Sequence, residues 1–262
     1  MIHPQVELKL WILSDLHLES VPFPDAFRPT PPDFDVLVSA GDIWSGDPKR
    51  GFETLRKLAG DKPVVTVLGN HEYFKGEIES TIASARKLAK AAGVNLLEGN
   101  AVDIQGVRFI GCTLWTDYTL GGDLNLDAPT GEAISVSAGG IRRPLRITDV
   151  QNLHRRARAR LSTLLEGDRS VQTVVVTHHA PHPACLTPAE LGTWSAGNCA
   201  SDLSDLTDSG RAALWIYGHI HRNADGRRPG GTRLLSNPAG AGFSNQAFDE
   251  HLVVDLDRAE TT

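Results

Sequence analysis

In Val64-Val65-Thr66-Val67-Leu68-Gly69-Asn70-His71-Glu72 a short β-branched run, entered from Pro63 and ended by Gly69, delivers an amide and an imidazole at its carboxyl end. Such a run reads as a buried strand. In open α/β sheets the crevice beyond the carboxyl ends of the strands is where side chains from several loops converge. Four more runs end the same way. Leu8 to Leu13 leads into Ser14-Asp15-Leu16-His17, and Val36-Leu37-Val38-Ser39-Ala40 into Gly41-Asp42. Val174-Val175-Val176-Thr177 leads into His178-His179, and Leu214-Trp215-Ile216-Tyr217 into Gly218-His219-Ile220-His221. A lone histidine after a strand is usually a hydrogen-bonded turn residue; five strands each handing over to a metal-binding side chain form a pattern. If the strands are neighbours in one sheet, two Asp, one Asn and at least four His meet in one crevice.

At 262 residues, with 40% hydrophobic and 22% charged side chains, the chain has the composition of a soluble globular protein with a sizeable core. The five blocks span positions 15 to 221 and must close on one another, so residues 1–262 are expected to form one domain. A net charge of −6 argues against a global grip on nucleic acid or anionic lipid. Cys112, Cys185 and Cys199 are widely spaced and lack a CxxC pair, which indicates neither a disulfide framework nor a thiolate zinc site. No apolar run approaches the roughly 20 residues of a membrane span. The N-terminus has no basic start with a long apolar core, so the expected location is the cytoplasm.

Helical periodicity predicts crossovers over 47–60 and 77–92, the second stopping at Gly93, and a further helix over 148–166 capped by Thr148. Residues 94–112 read as short antiparallel strands joined by turns at Gly99-Asn100 and Gln105-Gly106. A short helix is expected near 202–208, and two last strands at 232–236 and 252–256. The loops at 20–33, 116–146 and 182–198 are irregular. Of these, 116–146 is expected to be a substrate-facing insertion. Seven arginines fall within 142–160. They read first as a solvated helix face, with Arg142, Arg143 or Arg146 as candidates for a substrate phosphate, which guanidinium matches bidentately.

Oxygen and imidazole donors without thiolate suit Mn, Fe, Zn or Co. Seven or more donors exceed what one ion needs, so two divalent ions are implied, with Asp42 as the carboxylate that can bridge them. Such pairs lie about 3.5–4 Å apart, clamp both oxygens of an in-line displacement at phosphorus, and acidify a water toward about pH 7 to supply hydroxide.

The order Asp15-x-His17, Gly41-Asp42, Gly69-Asn70-His71-Glu72, His178-His179 and Gly218-His219-x-His221 resembles the calcineurin-like metallophosphoesterase superfamily, over roughly residues 8 to 240. The resemblance implies a sandwich of two mixed β-sheets flanked by helices, the metallo-dependent phosphatase-like α/β fold. It implies that Asp15, His17, Asp42 and His221 hold one ion and Asp42, Asn70, His178 and His219 the other. His71 would stabilise the phosphoryl oxygens or protonate the leaving group. After Gly41-Asp42 the chain reads Ile43-Trp44-Ser45-Gly46, not the Gly-Asp-x-x-Asp-Arg block of protein serine/threonine phosphatases, which lowers the case for a phosphoprotein substrate. His178 is chosen over His179 as the ligand because it ends the strand directly, leaving His179 as a substrate or supporting contact. The expected activity is hydrolysis of a small phosphodiester or phosphomonoester. A non-catalytic metal-binding scaffold and a nuclease are the alternatives, the latter resting only on the arginine-rich segment.

Overall fold

Side-chain alternation along β1 (Leu8–Leu13) builds the centre of the molecule: Leu8, Leu10 and Ile12 face one core, Trp11 and Leu13 the other. A period of two on a strand buried on both faces is what a sheet covered on both sides requires. The computed structural model describes residues 8–256. Within them β1 pairs in parallel with β2 (Val36–Ser39), which pairs in parallel with β3 (Val64–Thr66). β3 pairs in parallel with β4 (Asn95–Leu96). An antiparallel strand, β13 (Val253–Leu256), closes this sheet in the order β13-β1-β2-β3-β4.

The second sheet has the order β11-β12-β10-β9-β6-β5. Its strands are β5 (Asn100–Ile104), β6 (Val107–Cys112), β9 (Gln172–Thr177), β10 (Leu214–Tyr217), β11 (Ala224–Arg227) and β12 (Arg233–Ser236). The five motif-bearing strands therefore divide between two sheets, three and two, instead of lying side by side in one. Between the sheets Leu10, Ile12, Val38 and Val65 meet Phe109, Val174, Val176 and Ile216, all fully buried. At roughly 25 cal/mol per Å² of apolar surface, this shared layer is the main force holding the sheets together.

Helices cover the outer faces. α1 (Pro48–Ala59) starts with Asp47 accepting from the Arg50 amide and packs Phe52 and Leu55 inward. α2 (Ile78–Ala92) is capped by Glu77 and ends at Gly93, whose φ of 67° is the left-handed terminator expected there. α3 (Ile147–Leu165) lies against the second sheet through Leu161 and Leu165. It begins one residue before the Thr148 cap read from sequence, because the Asp149 carboxylate reaches back to the Arg146 amide. α4 (Trp194–Cys199) and α5 (Ser204–Thr207) are short pieces between β9 and β10.

Two strand expectations change. Residues 94–112 are not all antiparallel: β4 follows the α2 crossover and so joins the first sheet in parallel, and only β5 and β6 form a hairpin. The 116–146 segment is not wholly irregular. It carries a hairpin of β7 (Ser135–Ala138) and β8 (Ile141–Pro144), turned by Gly139 and Gly140, both at positive φ.

Glu98, on the link from β4 to β5, ties the two sheets at their carboxyl ends. Its Oε1 accepts from Leu68 N at 3.2 Å, Thr113 N at 3.1 Å and Thr113 Oγ1 at 2.8 Å. Burial pushes its carboxyl up to about 7 against these donors. The folded chain thus keeps a proton that the unfolded chain releases above its ordinary value, so the group costs stability as pH rises toward 7 and costs most above it. Glu98→Gln keeps the acceptor and removes the charge. Thermal melts should find the variant level with the parent at pH 4 and more stable at pH 8 by about 2 kcal/mol, allowing for the side chain's partial exposure. An unchanged difference across pH would show that Glu98 is ionised at no cost.

Candidate metal centre

The loops leaving β1, β2, β3, β9 and β10 meet at one end of the sandwich, and their backbone is bent to do so. Asp15, His17, Asp42, His219 and His221 have φ of 51°, 42°, 55°, 67° and 52°. Left-handed backbone is costly for residues with a Cβ, about 1–3 kcal/mol each, and persists where surroundings over-determine it. Here they do. Asp15 N donates to Gly41 O and His17 N to Asp42 O, lacing the first two loops together. Asp15 Oδ1 accepts from His219 N at 2.9 Å, tying in the β10 loop, and Ser14 Oγ donates to Asp15 Oδ2. Glycine is needed at two close approaches: a Cβ on Gly69 would run into Asp42 Oδ1, and one on Gly218 into Ser14 Oγ and Asp15 Oδ2. Glu72 accepts four backbone N–H groups, from Asp42, Ile43, Trp44 and Gly69. It fastens the β2 loop to the β3 loop.

This scaffold aims donor atoms into two clusters. In the first, His221 Nε2 lies 3.3 Å from Asp15 Oδ1 and 3.1 Å from His17 Nε2. In the second, His178 Nε2 lies 2.9 Å from Asn70 Oδ1 and 3.1 Å from His219 Nδ1, which is itself 3.1 Å from Asn70 Oδ1. Asp42 stands between them. Its Oδ2 is 3.5 Å from His17 Nε2 and 3.3 Å from His178 Nε2, while Oδ1 accepts from His71 N at 2.9 Å. Asp15, His17, Asp42, Asn70 and His178 are buried, and His219 and His221 are half-buried.

The electrostatics are those of a cage that attracts cations. Burial opposes charge on His178, but Asp42 leads the groups that overcome it and raise its pKa to about 10. Burial likewise opposes His17, and Glu19 with Asp42 and Asp15 raises it to about 9. Burial would lift Asp42, yet the His178 charge, followed by His71 and His17, holds it well below the carboxylate range. His219 is driven down by burial and then by His179 and His178. The protons on His17 and His178 are those a metal ion would displace.

The donor set fits a metal on geometric grounds as well. His178 Nδ1 is 2.8 Å from Ala40 O and must donate to it, so the neutral ring turns a lone pair at Nε2 toward Asn70 Oδ1, another acceptor. Two acceptors this close repel unless positive charge lies between them. His17 repeats the arrangement: Nδ1 faces Glu19 Oε1 at 3.2 Å, leaving Nε2 toward Asp42 and His221. Orienting the far nitrogen of a ligating imidazole in this way is characteristic of metal sites. Nitrogen and oxygen donors without sulfur suit borderline divalent ions.

A family model described as calcineurin-like phosphoesterase matches residues 8–223, which include every donor in both clusters. The chain belongs to the calcineurin-like phosphoesterases. Its chemistry is metal-dependent hydrolysis of phosphoric esters. This phosphoesterase shares its fold with the crystal structure of a phosphopantetheinyl hydrolase from Mycobacterium tuberculosis, with a TM-score of 0.69 at 18% identity, covering 95% of this chain and 96% of that one. It is also similar to a dimetal phosphatase from Danio rerio, with a TM-score of 0.52 at 14% identity, over 97% and 93% of the two chains. No curated protein matches it in sequence. Among the described residues no helix is long and apolar enough to cross a membrane.

In the phosphoesterase His179 lies beside the second cluster rather than in it. Its Nδ1 faces Thr113 O at 3.1 Å, its ring leans on His219 with centroids 4.4 Å apart, and burial pushes its pKa down to about 3. Arg143 on β8 grips Asp149 with two nitrogens, and Arg142 donates Nε to Ser135 Oγ. His154 faces Trp115 O, and His182 caps the turn at Ala184, with Arg228, Asp208 and Asp202 as its charged neighbours. Sequence reasoning missed two acids. Glu19 follows His17 by two residues, a spacing that could have suggested it. Glu132, whose Oε1 accepts from Asn70 Nδ2 at 2.9 Å, gives no signal at all because it stands 62 positions away.

Proposed function

We propose that the chain hydrolyses a small phosphodiester or phosphomonoester at a centre of two divalent ions, Mn, Fe, Zn or Co. Asp15, His17, Asp42 and His221 would hold one and Asp42, Asn70, His178 and His219 the other. The reading is carried by one oxygen: Asp42 Oδ2 is within 3.5 Å of an imidazole nitrogen from each cluster, so a single carboxylate serves both. Two such ions, when bound, lower the pKa of water toward about 7 and offset charge on the phosphoryl oxygens.

The chain's own groups do the remaining work. His71 is the catalytic residue that is not a ligand. Its backbone N–H is fixed by Asp42, and its ring is stacked on Phe74 at 4.1 Å and meets the edge of His17 at 4.6 Å. Neither ring nitrogen has a hydrogen-bond partner among the described residues, which leaves both for substrate. Burial lowers the His71 pKa more than Asp42 raises it. A neutral ring offers one N–H, to a phosphoryl oxygen or to the oxygen of the leaving alcohol. Phe74 shields one face of that ring from water and gives the organic part of a small ester an apolar wall. Arg142, which spends only Nε on Ser135, is a better candidate for a substrate phosphate than Arg143, which Asp149 holds. His179, packed on His219, would buttress that ligand. The net charge of −6 favours a small ester over a polyanionic chain.

Metal-stripped protein, reloaded with each ion in turn, should be assayed on bis-p-nitrophenyl phosphate, p-nitrophenyl phosphate, a cyclic nucleotide and a phosphopantetheinyl diester. Turnover absent without metal and restored by at least one ion is the expected outcome. Silence on every ester with every ion would leave a metal-binding scaffold.

A further inference from the structure

Asn70 must present its amide oxygen, not its nitrogen, to the second cluster, and nothing in the β3 loop itself enforces that choice. The group that does is Glu132. A carboxylate only accepts hydrogen bonds, so with Glu132 Oε1 2.9 Å from the amide, the nitrogen Nδ2 turns outward and Oδ1 turns toward His178 and His219. Were the amide reversed, two N–H donors would point at the imidazoles and no lone pair would be available there.

The backbone around Glu132 is anchored independently of its side chain. Lys75 N donates to Ala133 O at 2.6 Å, Ser135 N to Gly76 O at 3.1 Å, and Ser135 Oγ to Gly76 O at 2.8 Å. These bonds attach the 116–146 segment to the stretch that directly follows His71. Glu132 N also donates to Thr130 Oγ1 at 3.3 Å, and Thr130 N to Leu145 O at 3.0 Å, so the base of the β7–β8 hairpin closes behind the carboxylate. The segment is therefore built against the donor cluster, with one acid reaching in.

We propose that Glu132 is a positioning residue for one metal ion only: by fixing the Asn70 amide it sets the affinity of the Asn70-His178-His219 site, and makes the 116–146 segment a structural part of that site. The inference rests on the reading that the two clusters hold ions. Partners that orient a metal ligand typically change affinity 10- to 100-fold when removed.

Calorimetric titration of the metal-free full chain with Mn²⁺ tests this. Glu132→Ala should weaken one of the two binding steps by about 10- to 100-fold and leave the other unchanged, while Glu132→Gln, which keeps an acceptor oxygen, should stay close to the parent. In an Asn70→Ala background, Glu132→Ala should add nothing, because the amide it orients is gone. If alanine at 132 prevents folding, Glu132→Leu against Glu132→Gln carries the same contrast at similar volume. Two parental binding steps in Glu132→Ala, equal loss of both, or an undiminished loss in the Asn70→Ala background would each overturn the inference while leaving the two-ion reading intact. A parent chain that takes up no ion would overturn both.

Discussion

Asp42→Ala is expected to lower kcat/KM by at least about 10³-fold, roughly 4 kcal/mol of transition-state stabilisation, and to leave fewer than two ions per chain. One oxygen of this buried carboxylate faces His17 and His178 together, and the other holds the His71 amide. Its loss therefore removes the negative charge shared by both clusters and loosens the catalytic imidazole in the same stroke. Asp42→Asn separates the two effects. The amide can still accept from His71 N, so the loop should stay in place, but it offers no charge to either cluster. Metal content by elemental analysis and activity with saturating Mn²⁺ should both fall in Asp42→Asn nearly as far as in Asp42→Ala. Full activity in the asparagine variant would mean that the shared charge is not what the centre uses.

His71→Ala should behave differently: kcat down by about 10²- to 10⁴-fold, with metal stoichiometry and KM close to the parent. The ring makes no hydrogen bond within the described residues; it meets the cage at the edge of His17 and has a nitrogen within 4.8 Å of ligand atoms of His17 and Glu19, so its removal is expected to leave the donors of the two clusters where they are. The choice of ester then tells which job the imidazole performs. A general acid matters most for an alkoxide leaving group and little for p-nitrophenolate, which departs unprotonated. A hydrogen bond to a phosphoryl oxygen matters equally for both. A loss that grows steeply from aryl to alkyl esters assigns protonation, and an even loss assigns phosphoryl stabilisation. If His71→Ala also loses an ion, the imidazole belongs to the cage and its role as the non-ligand histidine falls.

Much of this was legible in the sequence because it is local. Each of the five runs is built mainly of β-branched, aliphatic or aromatic residues and ends in a turn with a polar side chain, and the structure has a strand at each. The helices beginning at Pro48 and Ile78 stand where a cap, an apolar face and a terminal glycine announce them. The β7–β8 hairpin was signalled too, by Gly139-Gly140 between alternating residues, yet the glycine, aspartate and threonine around it made the segment read as loop. Mixed signals of this kind arise because a short exposed hairpin buries little, so its pattern of apolar residues is weak.

By itself the sequence determined which residues stand at the strand ends and that oxygen and nitrogen donors without thiolate gather there, since strand, turn and donor chemistry are written within a few neighbouring positions. Only the tertiary structure decided that the five strands divide between two sheets, because strand pairing depends on edges brought together by crossovers and not on any strand's own residues. It also decided that Asp42 lies between the two clusters, that His178 and not His179 turns its nitrogen inward, and that Glu72 and Glu132 hold the ligand loops. Those are mainly long-range contacts, 25 positions between Asp42 and His17 and 28 to 62 where Glu72 and Glu132 reach another loop. Their partners are chosen by the geometry of packing, which leaves no periodic trace in the chain.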